Sequence, residues 1–250
     1  MKRTIIPAPI FGVGNVVVKN EDRMIVTRYK NMYICGIYDG HGGSAVVKYI
    51  KKNLVNYFLK SKKITISLKL KDAYARIERE LTTNSIIRSG STASTLVITP
   101  DYLYICHVGD SRIISVKSNQ IKQLTVDHKP NEPKEFRRIR KAGNSVRMSG
   151  VYRVGPLAVS RSIGDLDIKN KFRGVSAIPD TRKLKNINFS LFVLASDGLL
   201  DVMSNYQIIQ FITKSINKMS IDTIAKKLAK RAKTLGSGDD ISVIIIKNGI

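Results

Sequence analysis

The 250-residue sequence provides enough material for one large domain or two small ones with a buried core. Hydrophobic residues make up 43% and charged residues 25%, which is ordinary for a soluble globular protein, and no apolar run approaches the roughly 20 residues of a membrane span. The basic start contains prolines and too short an apolar stretch for a secretory signal, so we expect an intracellular location, cytoplasmic or nuclear.

The charge balance is strongly basic, with 43 Lys and Arg against 19 Asp and Glu and a formal net charge of +24. The basic residues are dispersed along the chain. The densest run, 224–235, keeps its apolar residues on one helical face, which is typical of a surface helix. We therefore do not expect a nucleic-acid site, and the charge favours acidic or phosphorylated protein partners.

The predicted elements alternate between groups of strands and pairs of helices. The sequence predicts strands over 13–18, 24–29, 32–38, 91–99, 101–108, 112–117, 191–196 and 241–247, and helices over 44–59, 67–81, 133–143, 205–216 and 221–235. Strand groups beside helix pairs predict an α+β fold, a four-layer sandwich in which helix pairs flank two central antiparallel sheets. Because no linker divides the chain, we expect a single domain over 1–250.

Five acidic clusters are spread over the whole chain, each beside a glycine or at the edge of an apolar run. They are Glu21 with Asp22, Asp39, Asp110, Asp197 with Asp201, and Asp239 with Asp240. A carboxylate at the end of a buried strand points in a fixed direction, and a neighbouring glycine lets a ligand approach the backbone. Converging carboxylates repel one another unless cations lie between them, so the pattern predicts a site for hard divalent metals.

Eight short motifs follow one another along nearly the whole chain. They are NED at 20–22, YDGHGG at 38–43, GSTA at 90–93, VGDSR at 108–112, LTVDHKP at 124–130, LAVSRSIGD at 157–165, ASDGLLDVMS at 195–204 and GSGDDISV at 236–243. With these motifs the sequence resembles the metal-dependent protein serine/threonine phosphatases, the protein phosphatase 2C family. The resemblance implies paired antiparallel sheets flanked by helix pairs, in agreement with the predicted elements, and hydrolysis of phosphoserine or phosphothreonine in proteins.

The resemblance also implies a role for each acidic cluster. Asp39 matches the carboxylate that bridges two Mg²⁺ or Mn²⁺ ions, and the Gly40 carbonyl matches a ligand of one of them. The other implied ligands are Glu21, Asp22, Asp197 and Asp239, and the implied positions of a weaker third ion are Asp110 and Asp201. In the family the acid of the last motif is followed by Asn, whereas Asp240 follows here, so the ligand is assigned to Asp239.

In the implied reaction, a water bound between the two metals attacks phosphorus in line with the departing serine or threonine oxygen, without a covalent enzyme intermediate. His41 matches the general acid that protonates this oxygen, and a His beside cations and a carboxylate titrates near neutrality. His107 and His128 are interpreted as structural.

The sequence departs from the family at the arginine that grips the substrate's phosphate. Its position, four residues before Glu21, is occupied by Val17, which neither donates a side-chain hydrogen bond nor carries charge. Lys19, Arg23 and Arg3 are the candidates to replace it, and Lys19 would share a strand face with residue 17. Since every metal position is filled, an active enzyme is favoured. The alternative is a phosphatase-like binding or scaffold protein with little or no activity.

The segment 131–155 is rich in Lys and Arg and corresponds to a variable flap near the active site of the family. Two interpretations of its charge are open. It attracts an acidic phosphoprotein substrate, or it is a solvated surface.

Overall fold

The computed structural model describes residues 8–84, 88–118, 120–186 and 189–248. The strands in these ranges are β1 (Ile10–Val16), β2 (Arg23–Tyr29), β3 (Met32–Tyr38), β4 (Gly40–His41), β5 (Gly90–Ser91), β6 (Ala93–Ile98), β7 (Tyr102–Val108), β8 (Arg112–Lys117), β9 (Gln120–Gln123), β10 (Arg147–Ser149), β11 (Val151–Arg153), β12 (Ile163–Gly164), β13 (Asp180–Lys185), β14 (Phe189–Ala195) and β15 (Ile241–Lys247). The helices are α1 (Ala45–Lys60), α2 (Ile66–Thr83), α3 (Pro133–Lys141), α4 (Leu166–Lys171), α5 (Asp197–Leu200), α6 (Asn205–Ser215) and α7 (Ile221–Thr234).

Two antiparallel sheets form the centre of the fold. In the described part of the chain, one sheet has the strand order β1-β15-β14-β8-β9 and the other has the order β13-β7-β6-β3-β2. A smaller sheet has the order β12-β5-β4, and β10 pairs with β11 in a hairpin. All these pairings are antiparallel.

Side-chain alternation along the strands explains how the layers stack. In β3, Cys35 and Ile37 pack into a core shared with Phe192 and Ile244 of the other sheet, whereas Ile34 packs with α1 and α2. The outer face of the sheet that contains β14 and β15 packs against α5, α6 and α7. The order of layers is therefore helices, sheet, sheet, helices, which confirms the predicted α+β sandwich.

The helices begin and end close to the predicted residues because their caps are local in sequence. The Thr65 hydroxyl accepts a hydrogen bond from the Leu68 amide at 3.2 Å before α2, and Ser204 and Gln207 form a capping box at the start of α6. The five predicted helices differ from the observed bounds by no more than two residues at either end. No helix in the ranges described above is long and apolar enough to cross a bilayer.

The first strand ends earlier than predicted. β1 stops at Val16, so the predicted continuation to residue 18 is wrong. The buried Asp240 carboxylate accepts hydrogen bonds from the amides of residues 18–22 at 2.5–3.2 Å, and these amides are then unavailable to a neighbouring strand. Residues 17 and 19 consequently do not share a strand face, and the argument for Lys19 from strand geometry is also wrong.

A small separate core holds the segment that was predicted as a flap. Ile139 of α3 packs there with Val154, Leu157, Val159 and Val175. The hairpin β10–β11 leads directly into this core. The flap segment is therefore anchored by its own hydrophobic contacts.

Candidate active site

An acidic cavity of about 400 Å³ lies where strand ends from both main sheets meet. The predicted site residues that line it are Glu21, Asp39, Gly40, His41, Asp110, Asp197 and Asp239. Asp39 follows β3, Asp197 follows β14, and Asp239 precedes β15. The fold therefore brings together residues that are more than 200 positions apart in sequence.

Asp39 and Asp197 form the centre of the acidic cluster. The buried atoms Asp39 Oδ2 and Asp197 Oδ1 have no hydrogen-bond partner among the residues that the structure describes. Burial raises the pKa of Asp39 well above its usual range, and the nearby carboxylate of Asp197 raises it further. Burial, together with the charge of Asp110, raises the pKa of Asp197 to about 7. Without a cation, these carboxylates therefore retain protons that exposed acids lose.

Asp22 faces a different cavity from Asp39, Asp197 and Asp239. It lines a neighbouring space of about 310 Å³ together with Val17 and Arg23. Burial raises the pKa of Asp22 to about 6, although hydrogen bonds with Ser242 and Ser196 oppose the shift. Asp22 Oδ2 is a third buried carboxylate oxygen without a partner among the described residues.

The donor atoms of the cluster fit hard divalent cations. Among the described residues, the buried carboxylate oxygens without a hydrogen-bond partner belong to Asp22, Asp39 and Asp197, and carboxylate oxygen is the ligand type that Mg²⁺ and Mn²⁺ prefer. A Cβ at Gly40 would lie 2.7 Å from the Glu21 carbonyl, so only glycine allows this close approach of the two segments. Within 8–84, 88–118, 120–186 and 189–248, no group of three or more His, Cys, Asp or Glu side chains is already arranged to hold a metal ion.

The neighbouring acids Asp239 and Asp240 have separate environments. Asp239 lines the cavity, and its Oδ2 accepts a hydrogen bond from Lys19 Nζ at 2.8 Å. Asp240 is turned away and binds the backbone amides of residues 18–22. Burial raises the pKa of Asp240, but these amides outweigh burial and lower the pKa to about 2. Asp240 therefore stabilises the loop that carries Glu21, whereas Asp239 is free to contact a ligand of the cavity.

Asp165 orients His41, and sequence reasoning missed this partner. His41 Nε2 lies 2.8 Å and 2.9 Å from the two oxygens of Asp165, which is fully buried and also accepts from Ser162 Oγ at 2.5 Å. Burial lowers the pKa of His41, but the hydrogen bond and charge of Asp165 raise it above the usual value. The only signal was the position of Asp165 in LAVSRSIGD, a motif to which no role had been assigned.

The two residues predicted to bind a third ion differ in position. Asp110 lines the cavity, is buried, and forms an ion pair with Lys129, which lines the same cavity. Asp201 is exposed at the end of α5 and does not line the cavity. A lysine ammonium therefore already neutralises Asp110.

Besides Lys129, the basic side chains of Lys19 and Arg153 line the cavity, and only Lys19 was a predicted candidate to grip the phosphate. Lys19 lines it from the loop after β1, and Arg153 lines it from the flap hairpin. Arg23 instead donates to the Asn20 carbonyl at 3.1 Å and to the Asp22 carbonyl at 2.6 Å, and it lines the neighbouring cavity. Arg3 lies outside the described residues.

His107 and His128 form a buried pair behind the cavity. Their rings stack with centroids 4.5 Å apart, and His128 Nδ1 accepts the Gly109 amide at 3.1 Å. Burial lowers the pKa of both rings, that of His128 to about 3. Both histidines are therefore neutral packing residues that fix the turn before Asp110.

Comparisons with known proteins agree with this geometry. The model of the protein phosphatase 2C family matches residues 15–241. "Probable protein phosphatase 2C 45" of Oryza sativa subsp. japonica is 37% identical over 219 residues, which cover 85% of this chain and 75% of that protein. "Probable protein phosphatase 2C 7" of the same organism is 36% identical over 219 residues, which cover 85% of this chain and 56% of that protein.

A solved structure shares the fold. The crystal structure of serine-threonine phosphatase 2C from Toxoplasma gondii aligns with a TM-score of 0.77 at 23% identity, covering 98% of this chain and 96% of that one. The family model spans all the acidic positions of the cavity, from Glu21 to Asp239. On these grounds the chain belongs to the protein phosphatase 2C family.

Proposed function

We propose that the protein is a phosphoserine and phosphothreonine protein phosphatase that depends on two Mg²⁺ or Mn²⁺ ions. The observation that carries the proposal is the pair of buried, unpartnered carboxylate oxygens on Asp39 and Asp197 at the cavity. Two close carboxylates need a proton or a cation between them, and at neutral pH a divalent cation competes well for that place.

Each residue of the cavity would have a defined task. The ions would be held by Asp39, Asp197, Asp239, Glu21, Asp22 and the Gly40 carbonyl. When bound, they would lower the pKa of a water and neutralise charge on the phosphate. His41 Nε2 faces Asp165, so Nδ1 is the nitrogen left to give a proton to the departing serine or threonine oxygen. Asp165 would stabilise the charged ring until that proton is transferred.

A phosphatase-like binding protein is the second candidate function. The observation that favours it is Val17, a residue that is 60% exposed and occupies the position of the family's phosphate-gripping arginine. Such a protein would bind a phosphorylated partner at the same cavity but release no phosphate.

The two candidates separate in one assay of phosphate release from a phosphothreonine peptide. We expect release with Mn²⁺ or Mg²⁺ in the millimolar range and none in EDTA, because oxygen sites that keep waters bind these ions loosely. Asp39→Asn is the matched control, since it keeps the side-chain volume but removes the bridging charge. Release that persists in EDTA would contradict the metal mechanism, and tight peptide binding without release would establish the second candidate.

The proposal extends to the substrate, location and organisation of the protein. The net charge of +24 favours an acidic phosphoprotein substrate. We further propose an intracellular location and a single catalytic domain whose flap spans about 131–155.

A further inference from the structure

The cavity lacks the predicted phosphate contact at position 17 but contains other cations. Val17 lines the neighbouring cavity, and its apolar side chain offers no charge to a phosphate. Lys19, Lys129 and Arg153 line the acidic cavity itself. The question is therefore which of these three cations is available to an anionic ligand.

The ammonium of Lys129 is already paired with a buried carboxylate. Its ammonium pairs with Asp110, which is buried and would otherwise carry an uncompensated charge. Removing Lys129 from that pair would leave Asp110 without a partner, which is costly in a buried site. Lys129 is therefore a structural counter-charge.

Arg153 has free donors. It ends the hairpin β10–β11, is half-buried, and donates one Nη1–H to the Pro156 carbonyl at 2.6 Å. Among the described residues it forms no ion pair, so the remaining guanidinium donors are available. A planar fork of this kind matches two phosphate oxygens at once.

Lys19 is held only by the carboxylate that is assigned to a metal. Lys19 Nζ lies 2.8 Å from Asp239 Oδ2, and its side chain is 51% exposed. An exposed ion pair of this kind contributes little, so the ammonium exchanges partners easily. A metal ion bound by Asp239 would displace the Lys19 ammonium, which would then be available to a neighbouring anion.

We propose that Lys19 and Arg153, from two separate segments of the chain, together hold the substrate's phosphate in the acidic cavity in place of a residue at position 17. This inference rests on the proposed function and adds the groups that bind the phosphoryl oxygens. Lys19 contributes a point charge from the loop after β1. Arg153 contributes a fork from the flap, so that phosphate binding also orders the hairpin over the cavity.

Binding of inorganic phosphate to the Mn²⁺-loaded protein, measured by calorimetry, tests the proposal independently of turnover. We expect Arg153→Met to weaken phosphate binding about tenfold and Lys19→Met about threefold, since charge-assisted contacts are lost. Arg153→Lys should recover part of the loss, because it restores the charge but not the fork. In turnover assays the same variants should raise KM for a phosphopeptide more than they lower kcat.

Two variants serve as controls that remove the same charge. Arg147 pairs with Arg153 across the hairpin but is exposed and lines a different cavity, so Arg147→Met should leave phosphate binding unchanged. Lys62, exposed after α1, provides the corresponding control for Lys19. If Arg153→Met and Arg147→Met weaken phosphate binding equally, the loss comes from the change in net charge alone, and the proposal is overturned.

Lys19 has a second signature that a merely structural residue would not show. Lys19→Met should bind Mn²⁺ about two- to fivefold more tightly while binding phosphate more weakly, because Asp239 loses a competing cation. Unchanged binding of both ligands would remove Lys19 from the proposal. A wild-type protein that binds phosphate through these residues but never releases it from a peptide would refute the proposed function and leave this inference intact.

Discussion

At the scale of single residues, Asp239 and Asp240 are adjacent in sequence, but their side chains point in different directions and have different partners. Asp240 Oδ1 and Oδ2 accept amide hydrogen bonds from a loop whose residues are 218 to 222 positions away in sequence. Asp239 points into the cavity and pairs with Lys19. One acid therefore acts on folding, and the other is available to a ligand.

This difference predicts opposite effects of the two alanine substitutions. Asp240→Ala should lower the free energy of unfolding by about 3 kcal/mol, because several amides lose a charged acceptor. Asp239→Ala should not lower it, since removing one of several repelling carboxylates relieves repulsion, but it should abolish Mn²⁺-dependent hydrolysis. Urea unfolding and phosphate release measured on both variants check the prediction. Loss of Mn²⁺ binding in Asp240→Ala with full stability would show that the ligand is Asp240.

The sequence identified acids of this site better than it identified their partners. Asp39 and Asp197 were recognisable because each follows a short apolar strand, which fixes where the carboxylate points. Asp165 was missed because its partner is distant in the chain: His41 lies 124 positions from Asp165. Pairing across such distances depends on packing, which a local pattern does not encode.

At the scale of elements, a buried ion-pair network attaches α3, in the segment predicted as a flap, to the sandwich. Glu135 of α3 is buried and accepts hydrogen bonds from Arg161 at 2.5 Å and from Arg138 at 2.7 Å. Arg161 also pairs with Asp180 at the start of β13, at 2.8 Å. The network therefore connects the flap helix to the edge of a main sheet.

Glu135→Gln should destabilise the protein in a pH-dependent way. Burial raises the pKa of Glu135, but hydrogen bonds from Arg161 and Arg138 outweigh it and lower the pKa to about 2 from 4.5. A depressed pKa gives stability that is present above pH 4.5 and is lost as pH falls towards 2.

Urea midpoints of wild type and Glu135→Gln measure this contribution. At neutral pH the variant should be less stable by about 3 kcal/mol, because two arginines lose a buried counter-charge. The difference should narrow as pH falls through 4.5 towards 3. Glu132→Gln, at the half-buried N-cap of the same helix, is the control and should show a smaller loss. A difference that does not change with pH would contradict the charge argument.

The strands that could be recognised from the sequence are those whose side chains are buried. β3 and β15 were recognisable as strands because their side chains are buried on both faces and read as apolar runs. β13 was missed because it is an edge strand, DTRKLK, whose side chains are half-buried or exposed. Its strand conformation comes from pairing with β7, which no local pattern in the segment indicates.

At the scale of the whole molecule, we expect the basic charge to act on the encounter with the proposed acidic substrate. A net charge of +24 attracts acidic proteins over distances that depend on salt, since the Debye length is about 10 Å at 0.1 M. The cavity itself is lined by five acidic side chains as well as Lys19, Lys129 and Arg153, so this attraction comes from the basic residues dispersed along the chain.

Salt should therefore discriminate between substrates. Between about 0.05 M and 0.5 M salt, we expect kcat/KM to fall about tenfold for a phosphopeptide with acidic flanks. A phosphopeptide with neutral flanks should lose much less. Steady-state kinetics on the two peptides measure the difference, and equal losses would show that the dispersed basic surface does not guide substrates.

The position of β15 determines when the active site can first exist. This strand lies between β1 and β14 in its sheet, so β1 has no neighbour in that sheet until residues 241–247 are present. The same segment brings Asp239 and the carboxylate that shapes the loop around Glu21. During synthesis on a ribosome, the first strand must therefore wait, unpaired, for one made more than 200 residues later. Metal affinity and catalytic competence would appear together once residues 239–247 have been synthesised, and a chain released before this point would carry its other cavity residues without the ability to assemble them.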